Sequence, residues 1–335
     1  MKLTAKTYAI VKHCAAILLG LLIVDGCCAW YYNPAPYTQP EGRATDTIRT
    51  PDAWTCQARE GFGAHRIDSN GYNNPPGEGP IRVLMMGSSH TEAFNVPAGR
   101  DVSSQLAEML GSRVYNLGTS NHKLYRNAAN LERALDLYKP TDWVTIETAS
   151  VVIRRHNVRG AMADTLERLP ATNVPLPDFI SNQPLAKRLF KQFMSLIHQD
   201  TDESEAADYD DIPDGLLEEY EASLTEWFIR LNATASRHGV RLAIWFHPQM
   251  GLDMDGNLAS AAPQACLTAF RNACERAGVT FVDLTDDFLA AYASEHILPH
   301  GFANTAMGAG HLNADGHRLA AEALYRVIQE GGGAA

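Results

Sequence analysis

Four short stretches of this chain place serine, histidine, glutamate or glycine directly after an apolar run or just ahead of an amphipathic one. Gly87-Ser88-Ser89-His90-Thr91-Glu92 follows an apolar run. A glycine ahead of a serine lets the backbone turn sharply, which lifts the hydroxyl clear and lets the serine N–H face a developing oxyanion. Asn116-Leu117-Gly118-Thr119-Ser120-Asn121-His122 follows a second apolar run. Gly118 permits close backbone approach there and offers a second oxyanion N–H. Glu147-Thr148-Ala149-Ser150 follows a third run. Gly310-His311-Leu312-Asn313 stands just ahead of the last amphipathic stretch. A histidine at a helix start feels the positive end of the dipole, which disfavours imidazolium and leaves a neutral general base.

Taken singly, each residue has a plainer use. Ser89 could simply cap a helix, Gly118 could serve a turn, and His311 could be satisfied by backbone. Their joint occurrence after successive apolar runs points to Ser89 as nucleophile and His311 as base. His90, His122 and His247 also follow such runs and are candidate pocket residues, as is Glu147. Imidazoles converging at one edge also leave a zinc site open, although no acidic partner stands at ligand spacing and there is no CxxC pair or spaced Cys/His pattern. Neither metal nor cofactor is implied. His317 reads as structural or as a surface residue, and Asp315 as a helix-start acid.

The elements that must position these groups alternate. Ile81–Met86, Arg113–Leu117, Trp143–Ile146, Val240–Phe246 and Val279–Val282 read as short buried strands. Val102–Leu110, Leu124–Tyr138, Leu216–Ser236, Pro263–Ala277 and Asn313–Gln329 read as amphipathic helices, with Gly111, Gly239 and Gly278 closing three of them. Five strands separated by helices predict a parallel sheet covered on both faces, a three-layer α/β/α sandwich. In such a sheet ligands bind beyond the carboxyl ends of the strands, near the switch point. The sequence predicts an irregular lead-in over 31–75, the main domain over 76–330, and an insertion at about 157–214 that is either a solvated acidic segment or a lid.

On these residues the chain resembles the SGNH (GDSL-type) hydrolase superfamily. VLMMGSSHTEAF is similar to the family's first block, with the nucleophile on Ser89 and Ser88 in place of the usual aspartate. YNLGTSNH is similar to the second block, with the glycine donor on Gly118. GHLNADGHRLAAEAL is similar to the last, with the catalytic histidine on His311 rather than His317. The resemblance covers residues 75 to 330 or so and implies a flavodoxin-like sheet and ester chemistry. Two departures stand out. The family places an acid three residues before the histidine, where this chain has Gly308, and no acid lies between His300 and His311. Either a carboxylate from elsewhere orients the imidazole (Glu92 and Glu147 lie at the active edge), or a backbone carbonyl does, or a Ser–His dyad works alone. The family's third block supplies an Asn donor, where IETAS stands here. The Thr148 hydroxyl is the substitute expected, and IET is similar to the polysaccharide O-acetyltransferase branch.

The N-terminus sets the compartment. Lys2, Lys6 and Lys12 precede the apolar run Cys14 to Val24, and Tyr8 to Trp30 reaches spanning length. No small-x-small cleavage site follows, so residues 1–30 read as an uncleaved signal anchor. A lipoprotein at Cys27 and a buried N-terminal helix are the alternatives. Positive charge on the N-terminal side puts the N-terminus in the cytoplasm and the main domain outside. A net charge of −11 without a basic stripe excludes nucleic acid as a partner. Cys56 could pair with Cys266 or Cys274 in an oxidising compartment. Cys266 and Cys274, about 12 Å apart on one helix, cannot pair with each other. The expected activity is hydrolysis of short acyl esters on an extracytoplasmic acylated glycan or lipid. The alternatives are O-acyl transfer to an envelope polysaccharide and a non-catalytic carbohydrate-binding module of the same fold.

Overall fold

β-Branched and long apolar side chains in Ile81–Met86, with every residue but Arg82 buried, require protein on both faces of this strand. The computed structural model describes residues 5–31, 37–38, 48–153, 212 and 214–331. The insertion expected at 157–214 falls almost wholly outside them.

The chain divides into two compact units. One contains helix α1 (Ala5–Tyr31), in which the 20 residues Tyr8–Cys27 are long and apolar enough to cross a membrane. The other contains everything else described. Its elements are β1 (Tyr37–Thr38), β2 (Ile48–Arg49), β3 (Trp54–Gln57), β4 (Gly63–Arg66), β5 (Ile81–Met86), α2 (Ser89–Glu92), α3 (Val102–Leu110), β6 (Arg113–Asn116), α4 (Leu124–Ala129), α5 (Leu131–Tyr138) and β7 (Trp143–Thr148). They continue with α6 (Leu217–Arg237), β8 (Arg241–Phe246), β9 (Met250–Leu252), β10 (Leu258–Ser260), α7 (Gln264–Arg276), β11 (Thr280–Asp283), α8 (Thr285–Glu295) and α9 (Ala314–Gly331).

The five-stranded sheet runs β11-β8-β7-β5-β6, and every neighbouring pair in it is parallel. In chain order this is 2-1-3-4-5, the flavodoxin-like arrangement, with its switch point between β5 and β7. The three-layer α/β/α fold is as the sequence predicts. Side-chain alternation splits the core. Leu84, Met86, Val144, Ile146, Leu242 and Ile244 face α4, α5, α6 and α7. Val83, Met85, Trp143, Ala243 and Trp245 face α3, α8 and α9.

Three differences from expectation have local causes. The single helix expected over 124–138 is two helices meeting at Asn130 (φ −93°, ψ 0°), a residue that competes poorly for helix interiors. Helix α8 was not anticipated, although Asp283, one residue ahead of its N-cap Leu284, accepts the Thr285 N–H at 3.0 Å. The stretch 48–75, expected as irregular lead-in, packs on the domain. It carries the β3–β4 hairpin, and Arg49 forms a partly buried ion pair with Glu92 at 2.9 Å. Cys56, considered above for a disulfide, is a free thiol on β3.

Candidate active site

Ser88 and Ser89 divide two tasks. Ser88 is the N-cap of α2, its side chain accepting the His90 N–H at 3.3 Å. Ser89 is therefore the first helical residue, with its hydroxyl released from capping and its N–H without an intrahelical partner. Ala93 ends this one-turn helix in a left-handed conformation.

His311 comes from a loop pinned at several points. The Gly301 N–H donates to the His311 carbonyl at 2.9 Å, and His300 bridges Leu312. Asn313 caps α9, its Oδ1 accepting the Asp315 and Gly316 N–H groups at 3.0 Å. This loop brings His311 Nε2 to 2.8 Å from Ser89 Oγ, across the 222 residues that separate them in sequence.

The acid that sequence reasoning missed is Glu60, in the turn of the β3–β4 hairpin. Its Oε2 lies 2.6 Å from His311 Nδ1, and its Oε1 accepts the His311 backbone N–H at 2.7 Å. One carboxylate thus holds ring and backbone of the same residue. Because a carboxylate only accepts, Nδ1 carries the proton and Nε2 is left to accept from Ser89. Burial works to raise the Glu60 pKa, but the bonds from the His311 ring and amide outweigh it and leave the carboxyl below its ordinary range. The hairpin turn is itself tied down. Asn304 accepts the Gly61 N–H at 2.8 Å and donates to the Ala58 and Gly61 carbonyls, while Asn95 donates to the Glu60 carbonyl at 3.0 Å.

Two glycines make the approach possible. A Cβ on Gly310 (φ +90°) would fall 2.2 Å from Glu60 Oε1. One on Gly61 (φ +71°) would fall 2.2 Å from the Asn95 carbonyl. The sequence signal was there to read: an Arg-Glu-Gly turn between two short strands, in a chain whose histidine block lacks its acid. His311 thus meets a carboxylate rather than only the N-terminal end of α9. The ring faces a carboxylate at hydrogen-bond distance, an arrangement able to stabilise an imidazolium.

The other candidates fall elsewhere. The Gly118 N–H, expected to face an oxyanion, donates instead to Asn116 Oδ1 at 2.7 Å. Gly118 has a packing role, since a Cβ there would lie 2.2 Å from the Glu92 N on α2. The Thr148 hydroxyl likewise donates to the Ser150 carbonyl at 2.7 Å and so is not an oxyanion donor in this arrangement. Glu92 pairs with Arg49 and Ser120, and Asp315 with Arg318, so neither orients His311. His122 lines a pocket with Met86, Leu117, Thr119 and Tyr138 that neither Ser89 nor His311 lines, and burial holds its pKa at about 4.

His90 and His247 do converge on the site. The His90 ring centroid is 4.8 Å from that of His311 and 4.3 Å from that of His247. His300 and His317 join them in a layer of buried imidazoles. Burial and the neighbouring rings hold His300 at about 3, and burial holds His317 at about 4. His317 is thus not a surface residue but 1% exposed. Among the described residues no three His, Cys, Asp or Glu side chains are grouped so as to hold a metal ion.

No family model matches the chain, and no curated protein does. Among solved structures it is similar to an acetyl xylan esterase (13% identity, 74% of this chain and 100% of that one, TM-score 0.41). It is also similar to a lipolytic protein of the G-D-S-L family from Veillonella parvula (14% identity, 74% and 98%, TM-score 0.39). A third is a carbohydrate esterase family 2 enzyme with its carbohydrate-binding domain from Corynascus thermopiles (14% identity, 79% and 70%, TM-score 0.39).

Proposed function

We propose that this chain is a membrane-anchored serine esterase of SGNH type, with Ser89 as nucleophile, His311 as general base and Glu60 as the orienting acid. The observation that carries this reading is the unbroken chain Glu60–His311–Ser89, with links of 2.6 and 2.8 Å. Ser89 Oγ attacks an ester carbonyl carbon while its proton passes to His311 Nε2. The Ser89 N–H faces the oxyanion, a donor of the kind that lowers such barriers by about 3 kcal/mol. Collapse breaks the ester C–O bond, and the departing alcohol takes the proton from His311. Water then attacks the acyl-serine as His311 takes its proton, the acyl C–Oγ bond breaks as His311 returns that proton to Ser89 Oγ, and the carboxylic acid leaves.

The apolar N-terminal helix and the partial exposure of the site support one substrate class. Helix α1, with lysines on its N-terminal side, supports a domain outside the cytoplasm, facing acylated envelope glycan or lipid. The side chains of Glu60 and His311 are each about one-fifth exposed (22% and 21%), which admits water or a sugar hydroxyl as acceptor. Transfer to a glycan differs from hydrolysis only in that acceptor.

The test is hydrolysis of p-nitrophenyl acetate by the detergent-solubilised full chain. Wild type turns over and Ser89→Ala does not; equal rates refute the reading. Adding an envelope glycan and searching it for new acyl groups separates transfer from hydrolysis.

A further inference from the structure

The nucleophile turn rests on a second buried carboxylate that the acyl-transfer chain does not include. Glu147, near the end of β7, is 2% exposed. Its Oε2 accepts the Ser88 N–H at 2.5 Å, and its Oε1 lies 2.8 Å from Nε2 of the fully buried His247. Burial works against the charge, yet the bonds from His247 and Ser88 keep the carboxyl below its ordinary range. The turn has no slack above it. A Cβ on Gly87 would lie 2.7 Å from Glu147 Cβ and 1.9 Å from Thr91 Oγ1. On its other side the pair leads back to the base: His247 packs on His90, His90 packs on His311, and His90 Nδ1 accepts the Leu312 N–H at 3.3 Å.

A buried carboxylate is expensive to maintain, and an apolar side chain of similar volume would stabilise the sheet at least as well. What an apolar residue cannot do is hold the backbone N–H of Ser88. Building on the esterase reading of Ser89, we propose that Glu147, braced by His247, is a positioning residue that aims the nucleophile by fixing the Ser88 peptide. Ser88 is the cap of α2, so its peptide sets the direction of both the Ser89 hydroxyl and the Ser89 N–H. Glu60 then orients the base from one side of the site, and Glu147 orients the nucleophile from beneath.

Three variants of the full chain in detergent test this: Glu147→Gln, Glu147→Asp and Glu147→Ala. Gln keeps the reach, with an oxygen for Ser88 and N–H groups for His247. The His247 Nδ1 has no partner among the described residues, so no contact blocks the Nδ1–H tautomer that a glutamine N–H on Nε2 requires. Asp keeps the charge but its shorter stem cannot span both partners. Misplacing a reacting group by about 1 Å costs on the order of 10²-fold, so Ala and Asp should lower kcat by about that factor with KM nearly unchanged. They should slow fluorophosphonate labelling of Ser89 in proportion, and Gln should restore most of both.

An active Asp variant beside an inactive Gln variant overturns the proposal, because charge rather than reach would then matter. A melting temperature that falls with no split of kcat from KM also overturns it, as a purely structural role would. If Glu147→Ala does not fold, the order of Gln and Asp decides. A wild-type chain that fluorophosphonate leaves unlabelled refutes the esterase reading and this one with it. Failure confined to the position 147 variants refutes only this one.

Discussion

Replacing Glu60 by glutamine changes one atom and should nearly abolish turnover. Glu60 Oε1 accepts the His311 backbone N–H and Oε2 faces His311 Nδ1, at 2.7 and 2.6 Å. Glutamine has one acceptor for these two positions. If its oxygen faces the backbone N–H, its NH₂ faces Nδ1 and forces the proton onto Nε2. That nitrogen then donates toward Ser89 and cannot take its proton. If the amide flips, two donors face each other across the backbone bond, an arrangement that costs more than a lost hydrogen bond. Either way the productive tautomer is disfavoured. The same wrong-tautomer substitution in a serine triad lowers kcat by about 10⁴-fold, which is about 5 kcal/mol of barrier. Glu60→Ala should lose less, because the partly exposed site lets water reach Nδ1 and support either tautomer. The assay is steady-state p-nitrophenyl acetate hydrolysis, with KM and melting temperature followed in parallel. A Gln variant within about threefold of wild type would refute the triad, since a loss on the order of 10⁴ is what the geometry demands.

Other expectations follow from the same contacts. Gly310→Ala places a methyl 2.2 Å from Glu60 Oε1 and should reproduce the loss of Glu60→Ala. Gly308→Ala, with a similar positive φ but only Leu298 nearby, should retain most activity; equal losses would point to backbone strain instead. Fluorophosphonate followed by peptide mass spectrometry should mark Ser89 and not Ser88. Ser88→Ala should keep labelling while losing about 0.5–1 kcal/mol of stability with its cap; a label on Ser88 would reverse the two roles. Acid should destabilise the fold through the buried imidazoles. His317 and His122 drop from an ordinary 6.5 to about 4 when folded, so the unfolded chain binds more protons between those values. Stability is then full above about pH 6.5 and falls as pH drops toward 4. Melting temperatures that stay flat from pH 7 to pH 4.5 would contradict that burial.

Residue types and spacing were enough to mark the five sheet strands and to single out Ser89 and His311, but not α8 or the β3–β4 hairpin. Apolar runs such as Ile81–Met86 and Trp143–Ile146 are legible as strands because most side chains in them are apolar and buried; the two further residues of β7, Glu147 and Thr148, are polar yet also buried, which residue type does not announce. The capping serine ahead of a one-turn helix and the histidine just before the Asn313 cap are local patterns, readable without neighbours. Packing of the elements sets which carboxylate meets His311. Glu60, Glu92 and Glu147 are alike in sequence, yet one meets His311, one meets Arg49 and one meets Ser88. Hydrogen bonds between residues 251, 43 and 59 positions apart depend on how the β3–β4 hairpin, α2 and β7 dock. Gly118 and Thr148 differ from these, because their donors are taken up by partners only two residues away, Asn116 and Ser150, in local side-chain–backbone turns of a kind that Asn and Thr commonly form. Periodicity reports which face of an element is buried. Which polar atom it meets there is fixed only when the layers pack.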